Sequence, residues 1–359
     1  MDCNAARSEI MRYGYDVESL QAITEGRNHY LFDILLKEGR QAIARFSNAA
    51  AGQTENLFGG PASLSREAGA YKLLGRVDGV PVPEIIGDHC TGDPALILAS
   101  KLPGLLFCDY LAANAHSREC FLNTMRNLGK VIARVQQVRF ARFGDVAGAD
   151  EVYPPGNDNF ADRVLGIVRH RIGIAQHCGV CDPDELAGIE EFFTAKLASI
   201  ADQLVCTRIV PTLVLTDLHA MNFLVDEAGE VSGLFDLESC QAANPALEVY
   251  GLRLFLFSYY DVDTAQAAQQ AFFDGYHAAG GDYDPADALN RELEDLLALA
   301  RFLELAASYH GVRDGLRDNW STGFLKLLRA GLATGEVDYQ SAGWILHSKT
   351  GQLPSPLNP

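Results

Sequence analysis

The sequence predicts a two-lobed α+β fold, with a β-rich N-lobe over residues 1–102 and a mainly helical C-lobe over 103–359. Three observations carry this. Short apolar runs separated by turn residues fill the first hundred positions, amphipathic helical patterns dominate the rest of the chain, and Lys101-Leu102-Pro103-Gly104 punctuates the change. At 359 residues the chain is long enough for two lobes with a proper core. Its 48% hydrophobic and 21% charged residues are ordinary for a globular protein.

Residues 4–14 read as an opening helix, followed by strand-like runs at 18–24, 29–36 and 41–46. Glu25-Gly26-Arg27-Asn28 turns between the first two runs. Lys37-Glu38-Gly39-Arg40 turns between the next two, with glycine at the tight position. The first turn has the form of a hairpin that folds over phosphates, and it reads equally as a plain surface hairpin. The third run, Ala42-Ile43-Ala44-Arg45-Phe46, sets one cation among apolar residues, which an interior strand tolerates only with a partner. In the next helix, over 64–74, Leu64, Ala68, Tyr71 and Leu74 share a face and Glu67 adjoins it, so Glu67 is the natural partner of Arg45. Pro81-Val82-Pro83 then breaks the chain before strands at 84–87 and 95–100.

Past the linker, Ser117 caps a helix whose Phe121, Met125, Leu128, Ile132 and Val135 make a core-facing stripe. A Gly/Asp/Pro-rich loop between Ala141 and Phe160 reads as the rim of an acceptor site. Helices are expected at 159–177 and 183–200, the second opened by Asp182-Pro183. Further helices are expected at 246–259, 264–279, 285–310, 323–332 and 339–348.

Between the two helical blocks lies the stretch that carries chemistry, VLTDLHAMNFLVDEAGEVSGLFDLE over 214–238. It reads as a strand, a polar turn, a strand at 223–226, a tight turn, and a strand at 231–235 ending in Asp236. Asp217, Asn222 and Asp236 each close an apolar run, where a rigid scaffold hands polar groups to a cleft. An Asn and an Asp facing one point make a sparse oxygen site that Mg²⁺ accepts once phosphates and water complete the shell. Asp217 is then left to accept a hydroxyl proton, the division of labour of a kinase catalytic loop. Singly, each of these residues is also an ordinary turn former. Their joint spacing is what points to catalysis.

The segment resembles the catalytic core of the aminoglycoside phosphotransferase and choline kinase-like small-molecule kinases. Their His-Gly-Asp-x-x-x-x-Asn is matched by Leu215-Thr216-Asp217-Leu218-His219-Ala220-Met221-Asn222, and their Ile-Asp-Trp-Glu by Phe235-Asp236-Leu237-Glu238. Their Gly-Asp-Pro-x-x-Asp-Leu is matched by Ala243-Asn244-Pro245-Ala246-Leu247-Glu248-Val249. Leu215 stands where the family has a loop-buttressing His, and Asn244 and Glu248 replace two aspartates. The resemblance implies a protein-kinase-like fold. It also implies transfer of the γ-phosphoryl group of ATP or GTP to a hydroxyl of a small acceptor, an aminoglycoside antibiotic being one example. It implies Asp217 as base, Asn222 and Asp236 as Mg²⁺ ligands, and Arg45, oriented by Glu67, as the clamp on the α/β-phosphates. Gly26 and Asn28 would lie in the phosphate-covering turn, and Ser100, Lys101 and Leu102 would receive the nucleotide base through main chain.

Composition excludes other classes. With 47 Asp+Glu against 29 Lys+Arg, the net charge of −18 repels nucleic-acid backbone, and no basic stripe offsets it. Such a balance favours a cationic acceptor where the acid is concentrated near the cleft. No apolar run approaches the ~20 residues that span a bilayer. The opening MDCNAARSEIMRYG carries charges where a signal peptide needs an apolar run, so no membrane partner and a cytoplasmic address are expected. Two rival readings stand. One is a binding protein that keeps the kinase fold without turnover, suggested by Leu215 and the glycine-poor first turn. The other is a zinc or thiol enzyme using Cys178 and Cys181, although no second pair at matching spacing accompanies them.

Overall fold

A computed structural model describes residues 1–23, 29–48, 61–114, 116–148, 151–153, 155–315 and 317–347. The first part comprises α1 (Cys3–Arg12), β1 (Val17–Ile23), β2 (His29–Leu36), β3 (Gln41–Ser47), α2 (Pro61–Leu74), β4 (Ile85–His89) and β5 (Leu96–Ser100). The five strands form one antiparallel sheet in the order β1-β2-β3-β5-β4. Side chains alternate across a strand, so Ala42, Ala44 and Phe46 of β3 share a face with Phe32, Ile34, Leu96 and Leu98. That face is sealed by Ala6 and Ile10 of α1. The opposite face packs Ile97 and Ala99 against Leu64 and Ala68 of α2. Arg45, lying between Ala44 and Phe46, is thereby directed to the α2 side.

The second part begins with β6 (Leu105–Leu106), α3 (Phe107–Ala113), α4 (Arg118–Val135), β7 (Gly144–Gly148), β8 (Glu151–Val152), α5 (Phe160–Cys178) and α6 (Pro183–Ile200). It continues with β9 (Thr212–Val214), β10 (Phe223–Val225), β11 (Val231–Leu234) and β12 (Gln241–Ala243). The helices α7 (Ala246–Tyr259), α8 (Val262–Ala278), α9 (Ala288–Ser308), α10 (Trp320–Thr334) and α11 (Tyr339–His347) complete it. Ser117 caps α4 by accepting from the Cys120 amide. The α4 and α8 backbones touch through glycines. A Cβ on Gly129 would lie 2.0 Å from the Phe272 carbonyl, and one on Gly275 would lie 1.8 Å from that of Arg126. Strands β11, β10 and β6 make a three-stranded sheet, and β8, β7, β12 and β9 a four-stranded one. These two small sheets frame the loops that carry Asp217, Asn222 and Asp236.

Some boundaries differ from the sequence reading. The loop expected between Ala141 and Phe160 contains β7 and β8, because β7 finds an edge on β12 through the pair Gln241↔Asp145. Helix α9 starts at Ala288 and not after Asp284-Pro285. Asp284 turns back on the Ala286 amide, and Asp287 caps the helix by accepting from Asn290 N. The turn carrying Gly26 and Asn28 lies outside the described residues. Among the described residues, no helix is long and apolar enough to cross a membrane.

Candidate active site

The catalytic-loop candidate leaves β9 at Leu215 and reverses at Thr216, whose φ of 64° is unusual for a β-branched residue. The turn is held from the side, with the Thr216 hydroxyl 2.9 Å from both the carbonyl and the Oγ of Ser239. It projects Asp217 with a carboxylate 53% exposed. Asn222, buried, closes the loop by donating from Nδ2 to the Asp217 carbonyl at 2.9 Å and to its Oδ2 at 3.3 Å. His219 adds a neighbour that the spacing did not foretell. Its Nδ1 accepts from Met221 N at 3.2 Å, so a neutral ring carries its proton on Nε2, which lies 3.7 Å from Asp217 Oδ2.

Beneath the loop, Leu215 is buried and its amide donates to Glu248 Oε2 at 2.6 Å. Glu248 sits in the first turn of α7. Burial pushes its carboxyl up to about 7, the charge of Asp217 adds to the rise, and the Leu215 and Thr216 amides oppose it. Asn244 accepts from Ala246 N at 2.8 Å and ties down the start of α7. Leu215 thus supports the loop by packing, while Glu248 and Ser239 hold it by hydrogen bonds.

The β10–β11 register pairs Phe223 with Leu234, and Phe235 N donates to the Asn222 carbonyl at 3.2 Å. Asn222 and Asp236 therefore emerge at the same end of one hairpin. Asp236 adopts φ 61°, which turns it out of the strand direction. Arg45, 11% exposed, joins the two lobes here. Its Nη1 lies 2.8 Å from Glu67 Oε1 and its Nη2 2.9 Å from Asp236 Oδ1. Burial works against the charge on Arg45, but Glu67 and Asp236 more than restore it and hold the guanidinium above its ordinary range. Burial likewise pushes Glu67 up, against the pull of Arg45. Tyr71 completes the node by donating to Glu67 Oε1 at 2.5 Å and accepting from Asp236 N at 3.2 Å. A second buried link crosses the lobes beside it, with His29 Nε2 2.6 Å from Glu238 Oε2 and 3.0 Å from Ser63 Oγ.

At the lobe junction, Ser100 N donates to the Glu84 carbonyl at 2.8 Å and Lys101 N to that of Gln41 at 3.2 Å. Two of the three amides expected to meet a nucleotide base are therefore occupied by the sheet. The Lys101 side chain pairs with Asp33, Nζ to Oδ2 at 2.5 Å. Leu102 packs onto Gly233 of β11, where a Cβ would meet Leu102 Cδ1 at 2.7 Å. The structure thus brings Arg45, Glu67 and Asp236 into direct contact and couples Asn222 to Asp217. Gly26 and Asn28 cannot be placed, lying outside the described residues.

The donor chemistry fits a hard cation. Asn222 uses Nδ2 on Asp217, which leaves its Oδ1 for another partner, and Asp236 offers a carboxylate at the same hairpin end. Among the described residues, no group of three or more His, Cys, Asp or Glu forms a self-sufficient metal site. Two protein oxygens are the pattern of Mg²⁺ bound together with substrate phosphates.

Residues 19–289 match the phosphotransferase enzyme family over three quarters of the chain. The chain belongs to that family. No curated protein matches it in sequence. Among solved structures of similar fold is macrolide 2'-phosphotransferase MphH from Brachybacterium faecium. It is 18% identical with a TM-score of 0.52, covering 96% of this chain and 97% of that one. ADP-bound aminoglycoside phosphotransferase APH(2'')-Ib is 14% identical with a TM-score of 0.59, covering 92% and 99%. Amicoumacin kinase hAmiN, in complex with AMP-PNP and Ca²⁺, is 16% identical with a TM-score of 0.57, covering 94% and 98%. At these identities the likeness is one of fold, the two-lobed protein-kinase-like architecture.

Within this phosphotransferase, sequence reasoning missed four members of the site, namely Tyr71, His29, His219 and the loop-binding role of Glu248. Tyr71 lies four residues after Glu67 on the same helix, a spacing at which side chains meet, and that signal was present. His29 and Glu238 stand 209 residues apart, and no local pattern joins them. The pair Cys178 and Cys181 flanks the turn at Gly179 that ends α5. Burial, reinforced by Glu185, pushes the Cys181 thiol up to about 11, the reverse of what a thiolate nucleophile needs.

Proposed function

We propose that this family member is a small-molecule kinase that transfers the γ-phosphoryl group of ATP or GTP to a hydroxyl of a small acceptor. A hydroxylated antibiotic such as an aminoglycoside belongs to that acceptor class. The observation that carries the reading is the arrival of two groups at one end of the β10–β11 hairpin. One is the Asp217–Asn222 loop, and the other is Arg45 clasping both Glu67 and Asp236.

In this mechanism Asp217 accepts or orients the acceptor's hydroxyl proton, held in place by the Asn222 amide and the turn at Thr216. Arg45, kept charged and aimed by Glu67, meets the α/β-phosphates. Ser100, Lys101 and Leu102, at the boundary between lobes taken as 1–102 and 103–359, line the base. Leu102 is the one of the three whose amide has no partner among the described residues. Asn222 and Asp236 would hold Mg²⁺, which when bound neutralises phosphate charge. The protein's share is positioning and charge stabilisation, since phosphoryl transfer asks little covalent work of it.

Turnover is favoured over a binding-only role by Leu215. Although it replaces the family His, it is packed at 3% exposure and its amide is held by Glu248, so the loop has a structural support. The test is ADP or GDP release over a panel of hydroxylated compounds, with Asp217→Asn beside the parent. The variant should fold and bind nucleotide while turnover drops by about 10²–10⁴-fold, the usual worth of a general base. Parental turnover in the variant refutes the role of Asp217.

A further inference from the structure

The candidate catalytic loop carries a polar side chain that the mechanism above leaves unused. Burial alternates along 217–221, with Leu218 and Ala220 buried as anchors and Asp217, His219 and Met221 on the outer side. Asn222 closes the loop on itself. Its amide donates to the His219 carbonyl at 3.0 Å, and its Nδ2 donates to the Asp217 carbonyl at 2.9 Å. Asp217, His219 and Asn222 thus leave one closed turn. The His219 ring is fixed within it, because Nδ1 accepts from Met221 N at 3.2 Å. A neutral ring so held carries its proton on Nε2 and there acts as a donor. The side chain is 36% exposed, and Nε2 lies 3.7 Å from Asp217 Oδ2. That is beyond hydrogen-bond length, and Oδ2 already has Asn222 Nδ2 at 3.3 Å. Among the described residues, the Nε2–H of His219 has no hydrogen-bond partner.

A base meets the proton that it takes at about 2.6–3.2 Å, and an attacking oxygen stands about 3–3.5 Å from the atom that it attacks. An N–H group 3.7 Å from the base carboxylate is therefore within reach of the reacting atoms. Two kinds of oxygen arrive there, that of the acceptor hydroxyl and those of the γ-phosphoryl group. The hydroxyl needs its lone pair for attack, and a donor placed on it would weaken it as a nucleophile. The phosphoryl oxygens gain from a donor, because charge is spread over them during transfer.

We propose that His219 donates its Nε2–H to an oxygen of the γ-phosphoryl group, which makes it a second catalytic residue of the loop. This rests on the kinase reading of Asp217. In the step, the acceptor oxygen bonds to the γ-phosphorus, the bond from that phosphorus to the β–γ bridging oxygen breaks, and ADP or GDP leaves. The hydroxyl proton passes to Asp217 Oδ1, the oxygen that Asn222 leaves open. His219 keeps its own proton throughout, since Met221 N occupies its Nδ1.

The test compares nucleotides with and without a γ-phosphoryl group, AMP-PNP against ADP and GMP-PNP against GDP, on the full-length protein with Mg²⁺. Ring-nitrogen NMR signals of His219, assigned by their loss in His219→Gln, are followed at about pH 8, where imidazoles are ordinarily neutral. The free protein should show the Nε2–H tautomer. The Nε2 signal should move with AMP-PNP or GMP-PNP and stay in place with ADP or GDP. In calorimetry, His219→Leu should weaken binding of the γ-phosphoryl analogue at least about tenfold, the scale of a hydrogen bond to a charged group. Its ADP or GDP affinity and its melting temperature should stay near parental. His219→Gln, which retains a side-chain N–H, should recover part of the lost affinity. An Nδ1–H tautomer, an Nε2 signal that responds to both forms of nucleotide alike or to neither, or parental analogue affinity in His219→Leu overturns the proposal. A Leu variant that loses both forms equally marks a loop-folding role and overturns it too. If no nucleotide binds the parent, the kinase reading falls and this proposal with it, whereas binding without the His219 response overturns the proposal alone.

Discussion

Replacing Glu248 by Gln probes how the candidate catalytic loop is held from below, and its effect can be worked out from the structure. The carboxylate is 1% exposed, Oε2 accepts the Leu215 amide at 2.6 Å, and Oε1 has no partner among the described residues. Its pKa rises from 4.5 to about 7, by burial first and the charge of Asp217 second, against the pull of the loop amides. A carboxyl that holds its proton more tightly when folded contributes stability that is fully present below the unfolded value of 4.5 and is lost as pH rises through about 7. At ~1.4 kcal/mol per unit, the loss across that window is about 3 kcal/mol. Gln keeps the shape and a carbonyl acceptor for Leu215 N, and it does not titrate. Urea unfolding from about pH 5 to about pH 8 should therefore show the parent losing roughly this much stability relative to Glu248→Gln. Glu294 and Asp295, pushed up mainly by burial to about 7 and about 6, add a fall of the same sign. Both proteins share it, so it cancels in the difference. Parallel curves for parent and variant refute the account of Glu248 as a buried, proton-holding support.

Leu215→Ala removes packing but keeps the amide that Glu248 accepts, and it should cost about 2–5 kcal/mol in denaturant unfolding, as core truncations do. A variant as stable as the parent shows that the position is no buttress. Tyr71→Phe removes the hydroxyl shared by Glu67 and Asp236 N, bonds of a kind worth about 1.5–3 kcal/mol when one partner is charged. It should weaken binding of the metal–nucleotide pair while the protein stays folded, and an unchanged affinity in calorimetry denies Tyr71 a positioning role. Mg²⁺ itself should bind measurably only with nucleotide present, since Asn222 and Asp236 supply two oxygens at most in this arrangement. Tight binding to the apo protein contradicts the site as drawn.

The first lobe was legible because alternation reports a buried face directly. Ala42, Ala44 and Phe46 read as one side of a strand, and they lie in one core with Phe32 and Ile34. Short strands were not legible in this way. β6, β8 and β12 have two or three residues each, too few for a period, and β7, Gly-Asp-Val-Ala-Gly, has no strand composition. These form because partners elsewhere in the chain offer an edge, as Leu224 and Val225 do for β6 and Gln241 does for β7. The start of α9 failed for a different reason. Asp284 and Asp287 both carry an N-cap signal, and only the bond of Asp284 to the Ala286 amide decides between them.

At the candidate site, the same contrast separates what one residue announces from what two must share. A cation inside an apolar strand announces its need, so Arg45 and its partner Glu67 could be read from the chain, and they stand 2.8 Å apart. Tyr71 was harder to read, because hydropathy assigns the whole residue to the core and only its place four residues after Glu67 points to a polar role. Its ring does lie in the core, but its hydroxyl works at the polar edge, between Glu67 and the Asp236 amide. Leu215 and Glu248 looked like two unrelated departures from a family pattern. In the structure they support the same turn in two ways, Leu215 by filling the space under it and Glu248 by binding its amide. A motif comparison sees each exchange as a loss at its own position. The loop depends on being filled and being bonded, and this chain meets both needs with a different pair of residues.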